Sequence, residues 1–472
     1  MKILLMNPPM KEEELFTESS KETASRIPPL GLGYLAAYLE KEGHTVRIWD
    51  GFVEKYSWEE ISKLAENYDF LGIHALSSFV LRAYEFAEFL KRKLPDKPIV
   101  FGGCHVSALP LEAMEKPFID YVVVGEGEVT TSELCKVLET RSENITEILG
   151  VYYRDDSGTI RFNGSRPKIS DINSLPFPAR HLFNWRLYKS SEARKSSAKK
   201  DIAILTSRGC PFQCSYCSKD VTGHKVRNFS LDRVIAEIKH LINEYDIEEL
   251  SIWDETFTLQ RERVIEFCQA LKKERLNITW SCSSRVDRVD PELLKIMKKH
   301  GCNFIAYGIE SGNNEILKKM GKNITVELTR KAVKATKKAG IPIRGYFMVG
   351  LWGDTKETIL DTIRFAKELD PEIATFTMMV PLPKTLDYER ACQQDNFTKE
   401  YWKYRMFPEF NFLDSPIYVP EGMTPDELVR LHKKAYNSFY FRPRFLLRQV
   451  TSVRSLGDVK RLLAGAKTVL KL

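Results

Sequence analysis

The sequence predicts an α/β protein with two consecutive strand–helix units: a doubly wound parallel sheet, then a partial barrel of six strand–helix repeats. Two stretches of the chain alternate short apolar segments with amphipathic ones, the pattern of parallel sheets covered by helices. A poorly periodic, Pro- and Asn-containing stretch at 167–188 separates them. The 472 residues exceed one ordinary core, so two or three domains are expected.

The first unit is predicted to contain strands at 2–6, 45–49, 70–74, 99–101 and 121–124, and helices at 29–41, 58–67 and 81–93. Glycines follow the fourth and fifth strands, as Gly102-Gly103 and Gly125-Glu126-Gly127-Glu128. Ligands of doubly wound sheets bind beyond the carboxyl ends of the strands. These glycines therefore mark a candidate binding edge.

The second unit is predicted to contain six strands, at 202–206, 249–253, 279–283, 304–309, 345–349 and 374–380. Amphipathic helices fall between them, for example at 231–245 and 261–273. Six such repeats suggest an incomplete TIM-type barrel, with function at the carboxyl ends of its strands. We expect a first domain at 1–145, a connector at 146–195, the barrel at 196–394 and a small, mostly helical domain at 395–472.

Composition describes a globular protein, with 43% hydrophobic and 29% charged residues, and no apolar run approaches the roughly 18 residues that span a bilayer. The short apolar start before Asn7-Pro8-Pro9 is expected to be a buried strand rather than a signal peptide, which favours a cytoplasmic location. Eight Lys/Arg against one acid in 441–472 account for the net charge of +7. The rest is balanced, so nucleic acid is not an expected partner.

The basic tail also carries aromatic residues. Such a segment can lie on an anionic membrane surface, giving a peripheral contact. The alternative that we favour is a helical cap on the barrel with a solvated basic face.

Three of the nine cysteines cluster, as Cys210-Pro-Phe-Gln-Cys214-Ser-Tyr-Cys217, directly after the first barrel strand. Three thiolates on one loop can hold three irons of a [4Fe-4S] cluster and leave the fourth open to a small molecule. A structural zinc site would require a fourth ligand, usually from a second pair, which the sequence lacks. Three unrelated core cysteines would not be expected in a polar, Gly/Pro-containing loop.

This motif, with the aromatic Tyr216 before the third cysteine, resembles the radical S-adenosylmethionine (SAM) superfamily. Further strand-end segments match in order: 253–257, 283–287, 307–312 and 347–355. The resemblance implies that Cys210, Cys214 and Cys217 are metal ligands and catalytic, and that Tyr216, Asp254, Glu255, Arg285, Glu310 and Gly350 contact SAM. Each polar residue also has a structural alternative: a helix cap for Asp254 or Glu255, pairing of Arg285 with Asp287, and an internal ion pair for Glu310.

The amino-terminal unit resembles the Rossmann-like cobalamin-binding domain that precedes the barrel in one class of radical SAM enzymes. The matching segments are 28–35, 76–78, 102–105 and 124–128. They imply cobalamin contacts from Ser77, Ser78, Gly102, Gly103, His105, Gly125, Glu126, Gly127 and Glu128. A cobalt-ligating D-x-H-x-x-G motif is missing, so we expect cobalamin to bind with its own base displaced and no histidine on cobalt, with Leu76 a candidate to cover its lower face.

The combined resemblance implies a cobalamin-dependent radical SAM C-methyltransferase that uses a [4Fe-4S] cluster, SAM and cobalamin, with ferredoxin or flavodoxin as electron donor. A non-methylating enzyme of this class, such as a tetrapyrrole ring cyclase, is an alternative. A non-catalytic cobalamin or cluster sensor is another. The substrate is left open among a peptide or protein, a lipid and a tetrapyrrole or other small molecule, with a slight preference for a peptide.

Overall fold

The first seven strands form one sheet, and the predicted doubly wound core is confirmed. The computed structural model describes residues 1–10, 26–140, 144–188, 201–404 and 415–451, with a few single positions beyond 451. The strands are β1 (Lys2–Asn7), β2 (Thr45–Asp50), β3 (Phe70–His74), β4 (Ile99–Gly102), β5 (Tyr121–Val123), β6 (Val151–Arg154) and β7 (Ile160–Phe162). Their order is β2-β1-β3-β4-β5-β6-β7, and the first five are parallel. The order reverses between β1 and β3, which places the expected ligand crevice there.

Helices cover both faces of this sheet, because its central strands are apolar on both sides and must be shielded from water. Their starts follow ordinary capping chemistry: Ser57 accepts from the backbone N–H of Glu60, and the Glu60 carboxylate accepts from that of Ser57. The helices are α1 (Leu30–Lys41), α2 (Trp58–Ala65), α3 (Val80–Lys93), α4 (Cys104–Ala108), α5 (Pro110–Met114) and α6 (Gly127–Thr140).

The strands β6 and β7 were not predicted. They lie in the segment assigned to the connector, yet they extend the first sheet in antiparallel fashion. The sequence of this segment did not indicate a strand at β7, because β7 is short and largely exposed and therefore lacks an apolar run. The ordered connector therefore begins later, near Asn163.

The barrel is a six-stranded, wholly parallel sheet in the order β15-β14-β13-β12-β11-β8. Its strands are β8 (Asp201–Ile204), β11 (Glu249–Ile252), β12 (Thr279–Ser284), β13 (Cys302–Glu310), β14 (Ile343–Val349) and β15 (Ile373–Met378). A separate ribbon pairs β9 (Ser207–Arg208) with β10 (Arg227–Asn228). The helices are α7 (Leu231–Tyr245), α8 (Arg261–Lys273), α9 (Pro291–Lys299), α10 (Asn314–Lys319), α11 (Val326–Lys338), α12 (Lys356–Leu369) and α13 (Leu386–Ala391).

The connector packs the two units together rather than spanning open space. The backbone N–H of Ala179 donates to the Gly33 carbonyl of α1, and Phe183 lies against Gly33. Its neighbour Arg180 forms a buried ion pair of 2.7 Å with Glu237 of α7. One apolar core is therefore continuous from the first sheet to the barrel.

The predicted helical cap is present in α14 (Pro425–Tyr440) and α15 (Pro443–Thr451). The hydroxyls of Tyr436 and Tyr440 hydrogen-bond to the backbone of Phe376 and Ala374, which satisfies the free edge of β15. Three basic residues of the tail, Arg442, Arg444 and Arg448, surround Asp370 of the barrel.

The other basic residues of the tail, Arg454, Lys460, Arg461, Lys467 and Lys471, lie outside the described residues. Among the helices that the structure does describe, none has the length and apolarity to cross a membrane.

Candidate active site

The three predicted cysteine ligands lie on one loop at the carboxyl end of β8, framed by the ribbon of β9 and β10. We call residues 209–226 the cluster loop. Gly209 begins it with φ +97°, and a Cβ at this position would lie 2.4 Å from the Lys225 carbonyl oxygen. Only glycine fits where the two ends of the loop approach so closely.

All three cysteines lie close enough to Lys219 to act on its pKa, but they differ in exposure: Cys210 is buried, whereas Cys214 and Cys217 are half-buried. Lys219 donates to the Cys217 sulfur at 3.2 Å. Desolvation raises the pKa of the Cys214 thiol, while Lys322 and Arg285 act against that rise. Cations thus surround sulfurs that would be anionic as iron ligands.

Within the described part of the chain, no three His, Cys, Asp or Glu side chains converge as ligands of a single ion would. A four-iron cluster makes a different demand, because each thiolate binds its own iron and the three need only face a common space. One loop that carries all three cysteines meets that demand.

Asp254 and Glu255, which follow β11, hold the cluster loop rather than capping a helix. The buried Asp254 carboxylate accepts hydrogen bonds from the backbone N–H and hydroxyl of Thr206 and from the Ser207 hydroxyl, at 2.5 to 2.7 Å. Burial raises the pKa of Asp254, although these hydrogen bonds oppose the rise. The exposed Glu255 accepts from the Gly209 N–H at 3.2 Å. Both act on the base of the loop.

Tyr216, Glu310 and Lys322 form a hydrogen-bonded group beside the cysteines. Tyr216 donates to Glu310 at 3.1 Å, and Lys322 pairs with Glu310 at 2.9 Å. The structural alternative for Glu310, an internal ion pair, is therefore what the structure shows. Lys322 was missed in the sequence because it lies on a helix-to-helix turn, away from any strand end.

Arg285 follows β12, and its guanidinium lies 3.7 Å from the ring centre of Phe212 in the cluster loop. It pairs with Asp287 at 2.9 Å and donates to the Lys322 carbonyl at 2.7 Å. Its buried Nη1 has no protein partner among the described residues. Arg285 therefore forms the ion pair with Asp287 that is its structural alternative, and its Nη1 can still donate a hydrogen bond to a ligand.

Gly350, at the end of β14, has φ +74°, and a Cβ there would contact Leu428 of α14 at 2.9 Å. Close packing against the cap explains this glycine without a ligand. The neighbouring Asp354 is buried, and burial raises its pKa to about 6.

The first sheet presents an open cradle at the predicted glycines. A Cβ on Gly102 would meet no atom within 4 Å, whereas one on Gly103 (φ +116°) would lie 2.6 Å from the Ala75 carbonyl oxygen. Gly103 therefore shapes the backbone and Gly102 leaves space in front of it. The half-buried residues Leu76, Ser77 and Ser78 flank this cradle. A bulky ligand such as cobalamin fits this arrangement.

His105 is fully buried, and both ring nitrogens are engaged. One lies 2.9 Å from the Ser77 hydroxyl and the other 3.1 Å from Glu112. The ring therefore links the cradle to α5 through protein partners on both nitrogens. The predicted contact of His105 with cobalamin would have to come from other atoms of the residue than its ring nitrogens.

Glu126 and Glu128 turn their carboxylates toward the barrel. Arg208 donates to Glu126 at 2.9 Å and to Glu128 at 2.7 Å, and Arg227 donates to Glu126 at 2.6 Å. Their partners lie 80 to 101 residues away in the sequence, so the pattern could not reveal them. Gly125 donates its backbone N–H to the Ser107 hydroxyl at 3.0 Å, and Gly127 begins α6.

A further group at the reversal point of the sheet escaped the sequence interpretation. His74, at the end of β3, lies 2.8 Å from Asn7 at the end of β1, and Asn7 donates to Asp50 at 3.0 Å. Burial lowers the pKa of His74 to about 4, so the ring is neutral. Its position beside Gly103 could have suggested a binding role.

A three-cysteine loop on a six-stranded half-barrel, opposite a glycine cradle on a doubly wound sheet, defines a two-cofactor enzyme of the radical SAM type. Family models agree: residues 204–366 match the radical SAM superfamily and residues 21–135 match the B12 binding domain. The chain belongs to the family of radical SAM enzymes that carry an amino-terminal B12-binding domain, which includes methyltransferases.

The relatives include a second activity. An uncharacterized methyltransferase of Pyrococcus horikoshii is 36% identical over 95% of both chains. The anaerobic magnesium-protoporphyrin IX monomethyl ester cyclase of Rubrivivax gelatinosus is 28% identical over 94% of this chain and 78% of its own. Among solved structures, the radical SAM methyltransferase TsrM of Kitasatospora setae has a TM-score of 0.72 at 19% identity and covers 100% of this chain and 99% of its own, which shows the shared fold.

Proposed function

We propose that the protein transfers a methyl group to an unactivated carbon of its substrate. The observation that carries this proposal is the direct contact between the ribbon that frames the cluster loop and the Gly125–Glu128 loop, made by Arg208 and Arg227. The contact brings the carboxyl ends of both sheets to one region. When bound there, SAM on the cluster supplies a deoxyadenosyl radical and cobalamin supplies the methyl group.

The residues of the cluster loop and those that hold it have separate roles in this proposal. Cys210, Cys214 and Cys217 would hold three irons. Asp254 and Glu255 fix the base of their loop through the hydrogen bonds described above. These are positioning roles, which pre-organise the site.

Around the cysteines, Lys322 and Arg285 place positive charge where an anionic cluster or a SAM carboxylate would lie. Tyr216 is held by Glu310 at the rim of the same loop. These contacts support the proposal that SAM binds between the strand ends of the barrel and the cluster loop.

On the other side, the Gly102-Gly103 cradle with Ser77 and Ser78 would receive cobalamin. We expect no protein nitrogen on cobalt, since both nitrogens of His105 are occupied. Electron paramagnetic resonance of bound cob(II)alamin tests this, because a coordinated nitrogen splits the cobalt signal. Such splitting would contradict the expectation, and its loss in H74A would identify His74, rather than the cofactor's own base, as the ligand.

A product assay tests methyl transfer. The cluster-loaded protein is incubated anaerobically with SAM, cobalamin, reductant and candidate substrates, and S-adenosylhomocysteine and 5′-deoxyadenosine are quantified by mass spectrometry. Methyl transfer by this route consumes two SAM molecules and gives both products. The cyclase alternative, which the relative from Rubrivivax favours, gives 5′-deoxyadenosine without S-adenosylhomocysteine, and a sensor gives neither above background.

The substrate, electron donor and location belong to the proposal as well. We propose a cytoplasmic enzyme that modifies a peptide, a lipid or another small molecule and receives electrons from ferredoxin or flavodoxin, which can approach the half-exposed cysteines. Comparing metabolites and proteins of a deletion strain, searched for species lacking one CH2, would identify the substrate. Salt-sensitive liposome binding, lost on truncation after Tyr440, would establish a membrane contact of the tail.

A further inference from the structure

Four buried charged side chains join the two halves of the active site. Glu126 and Glu128 come from the loop after β5, and Arg208 and Arg227 come from the ribbon that frames the cluster loop. All four are between 5% and 7% exposed. We call them the interdomain ion-pair cluster.

The arrangement is a bridge rather than two separate pairs. Arg208 reaches both carboxylates, at 2.9 Å from Glu126 and 2.7 Å from Glu128. Arg227 reaches the second oxygen of Glu126 at 2.6 Å. Arg208 and Arg227 are themselves register partners in the ribbon, so the carboxylates hold both ends of the cluster loop.

The two arginines favour the ionised form of the Glu126 carboxylate. Burial alone would raise the pKa of Glu126, but hydrogen bonds from Arg227 and Arg208 bring that pKa below its ordinary value. Breaking the bridge would leave a buried charge without its partner, a strongly unfavourable state. The two loops therefore resist separation.

A second contact runs beside the first, through the connector residues Lys168 and Ile169. The Lys168 Nζ donates to the Asp220 carbonyl of the cluster loop at 2.6 Å. The backbone N–H of Ile169 donates to the Glu126 carboxylate at 2.9 Å. The connector therefore links the Gly125–Glu128 loop to the cluster loop at a second point besides the ion-pair cluster.

We infer that the interdomain ion-pair cluster couples cobalamin binding to SAM binding. Arg208 precedes Cys210 by two residues, and Glu126 and Glu128 belong to a loop expected to contact cobalamin through Gly125 and Gly127. A ligand that orders one loop lowers the cost of ordering the other, so each cofactor strengthens the binding of the second by the same factor. Arg208 and Arg227 are positioning residues in this scheme.

The inference rests on the proposed function, because it requires both cofactors at these loops. Its test needs no turnover. The affinity of the full-length, cluster-loaded protein for SAM is measured by calorimetry without reductant, in the absence and presence of hydroxocobalamin. In the unaltered protein we expect cobalamin to tighten SAM binding about fivefold or more, a usual size for coupling between sites.

Two variants and one matched control follow from the contacts. R208K and R227K keep the positive charge. A lysine at 208 cannot bridge the two carboxylates as the arginine fork does, and a lysine at 227 cannot hold Glu126 together with the carbonyls of Ile169 and Thr222. In each, we expect the coupling factor to fall to about one. R180K makes the same replacement in the buried Arg180–Glu237 pair, which touches neither loop, and should leave the factor unchanged.

Iron content, circular dichroism and elution volume confirm that each variant is folded and loaded, and R227K serves if R208K is not. An undiminished factor in a loaded R208K or R227K overturns the inference, as does equal SAM affinity with and without cobalamin in the unaltered protein. Failure of the unaltered protein to bind cobalamin at all overturns the proposed function, and the inference with it.

Discussion

Replacing Gly209 with alanine should distort the cluster loop at the point where its two ends meet. Gly209 has φ +97°, and its Cβ would lie 2.4 Å from the Lys225 carbonyl oxygen and 3.2 Å from that of Gly223. Gly43 offers a matched control, because its φ is +90° and its Cβ would meet nothing within 4 Å. The two variants share the backbone strain and differ only in the close approach.

The magnitudes can be worked from this geometry. A left-handed conformation costs an alanine about 1–2 kcal/mol, and the stiffer unfolded chain returns about 0.4–1 kcal/mol, so G43A should lose about 1 kcal/mol. In G209A the backbone at Lys225 must also move, which adds about 1–3 kcal/mol of overpacking strain. That strain falls between the two ends of the cluster loop.

We therefore expect G43A to retain its iron and its SAM cleavage, and G209A to lose most of both. Cobalamin binding should survive in both variants, since the cradle at Gly102 is untouched. Iron and sulfide analysis, 5′-deoxyadenosine formation and the absorption of bound cobalamin report these outcomes. A G209A protein with a full cluster and normal SAM cleavage would refute the argument that close approach of the loop ends organises the site.

Three further expectations follow. Replacing any one of Cys210, Cys214 and Cys217 with alanine should abolish 5′-deoxyadenosine formation while cobalamin stays bound; loss of both would show that the sites are not separable. The pKa of Asp354 is raised from 3.8 to about 6, so the folded state binds the Asp354 proton more tightly than the unfolded state does, and the free energy of unfolding should fall by up to about 3 kcal/mol as pH rises through that interval. Urea unfolding at several pH values should show a weaker pH dependence of this free energy in D354N. An unchanged pH dependence would contradict the raised pKa of Asp354. Y436F removes two hydrogen bonds at the edge of β15 and should lower the free energy of unfolding by about 1–2 kcal/mol in the same assay. An unchanged free energy would show that the Tyr436 hydroxyl does not stabilise this edge.

The sequence predicted the strands and their ends well because local patterns determine them. The strand at 70–74 and the helices at 231–245 and 261–273 match the structure residue for residue. Parallel strands buried on both faces give continuous apolar runs, and a glycine or a polar residue ends each one. Where that signal was absent, as in the exposed β7, prediction failed.

The same dependence on local sequence patterns decided which parts of the site could be predicted. The cysteines could be located because three ligands fall within eight residues, whereas the partners of Glu126 and Glu128 lie 80 or more residues away. An acid in a glycine-rich loop after a strand has the same sequence pattern whether it binds a ligand or an arginine. Only the fold brings Arg208 and Arg227 opposite these acids.

This difference changes what the loop after β5 contributes to the chemistry. If its carboxylates faced cobalamin, the two cofactor sites would be adjacent, but these side chains would not connect their loops. Because Glu126 and Glu128 instead hold the ribbon next to Cys210, a displacement of the Gly125–Glu128 loop must displace the base of the cluster loop. In the proposed reaction, a radical generated from SAM and a methyl group supplied by cobalamin would have to reach one substrate carbon, and the buried ion-pair cluster would hold the two loops in fixed positions relative to each other.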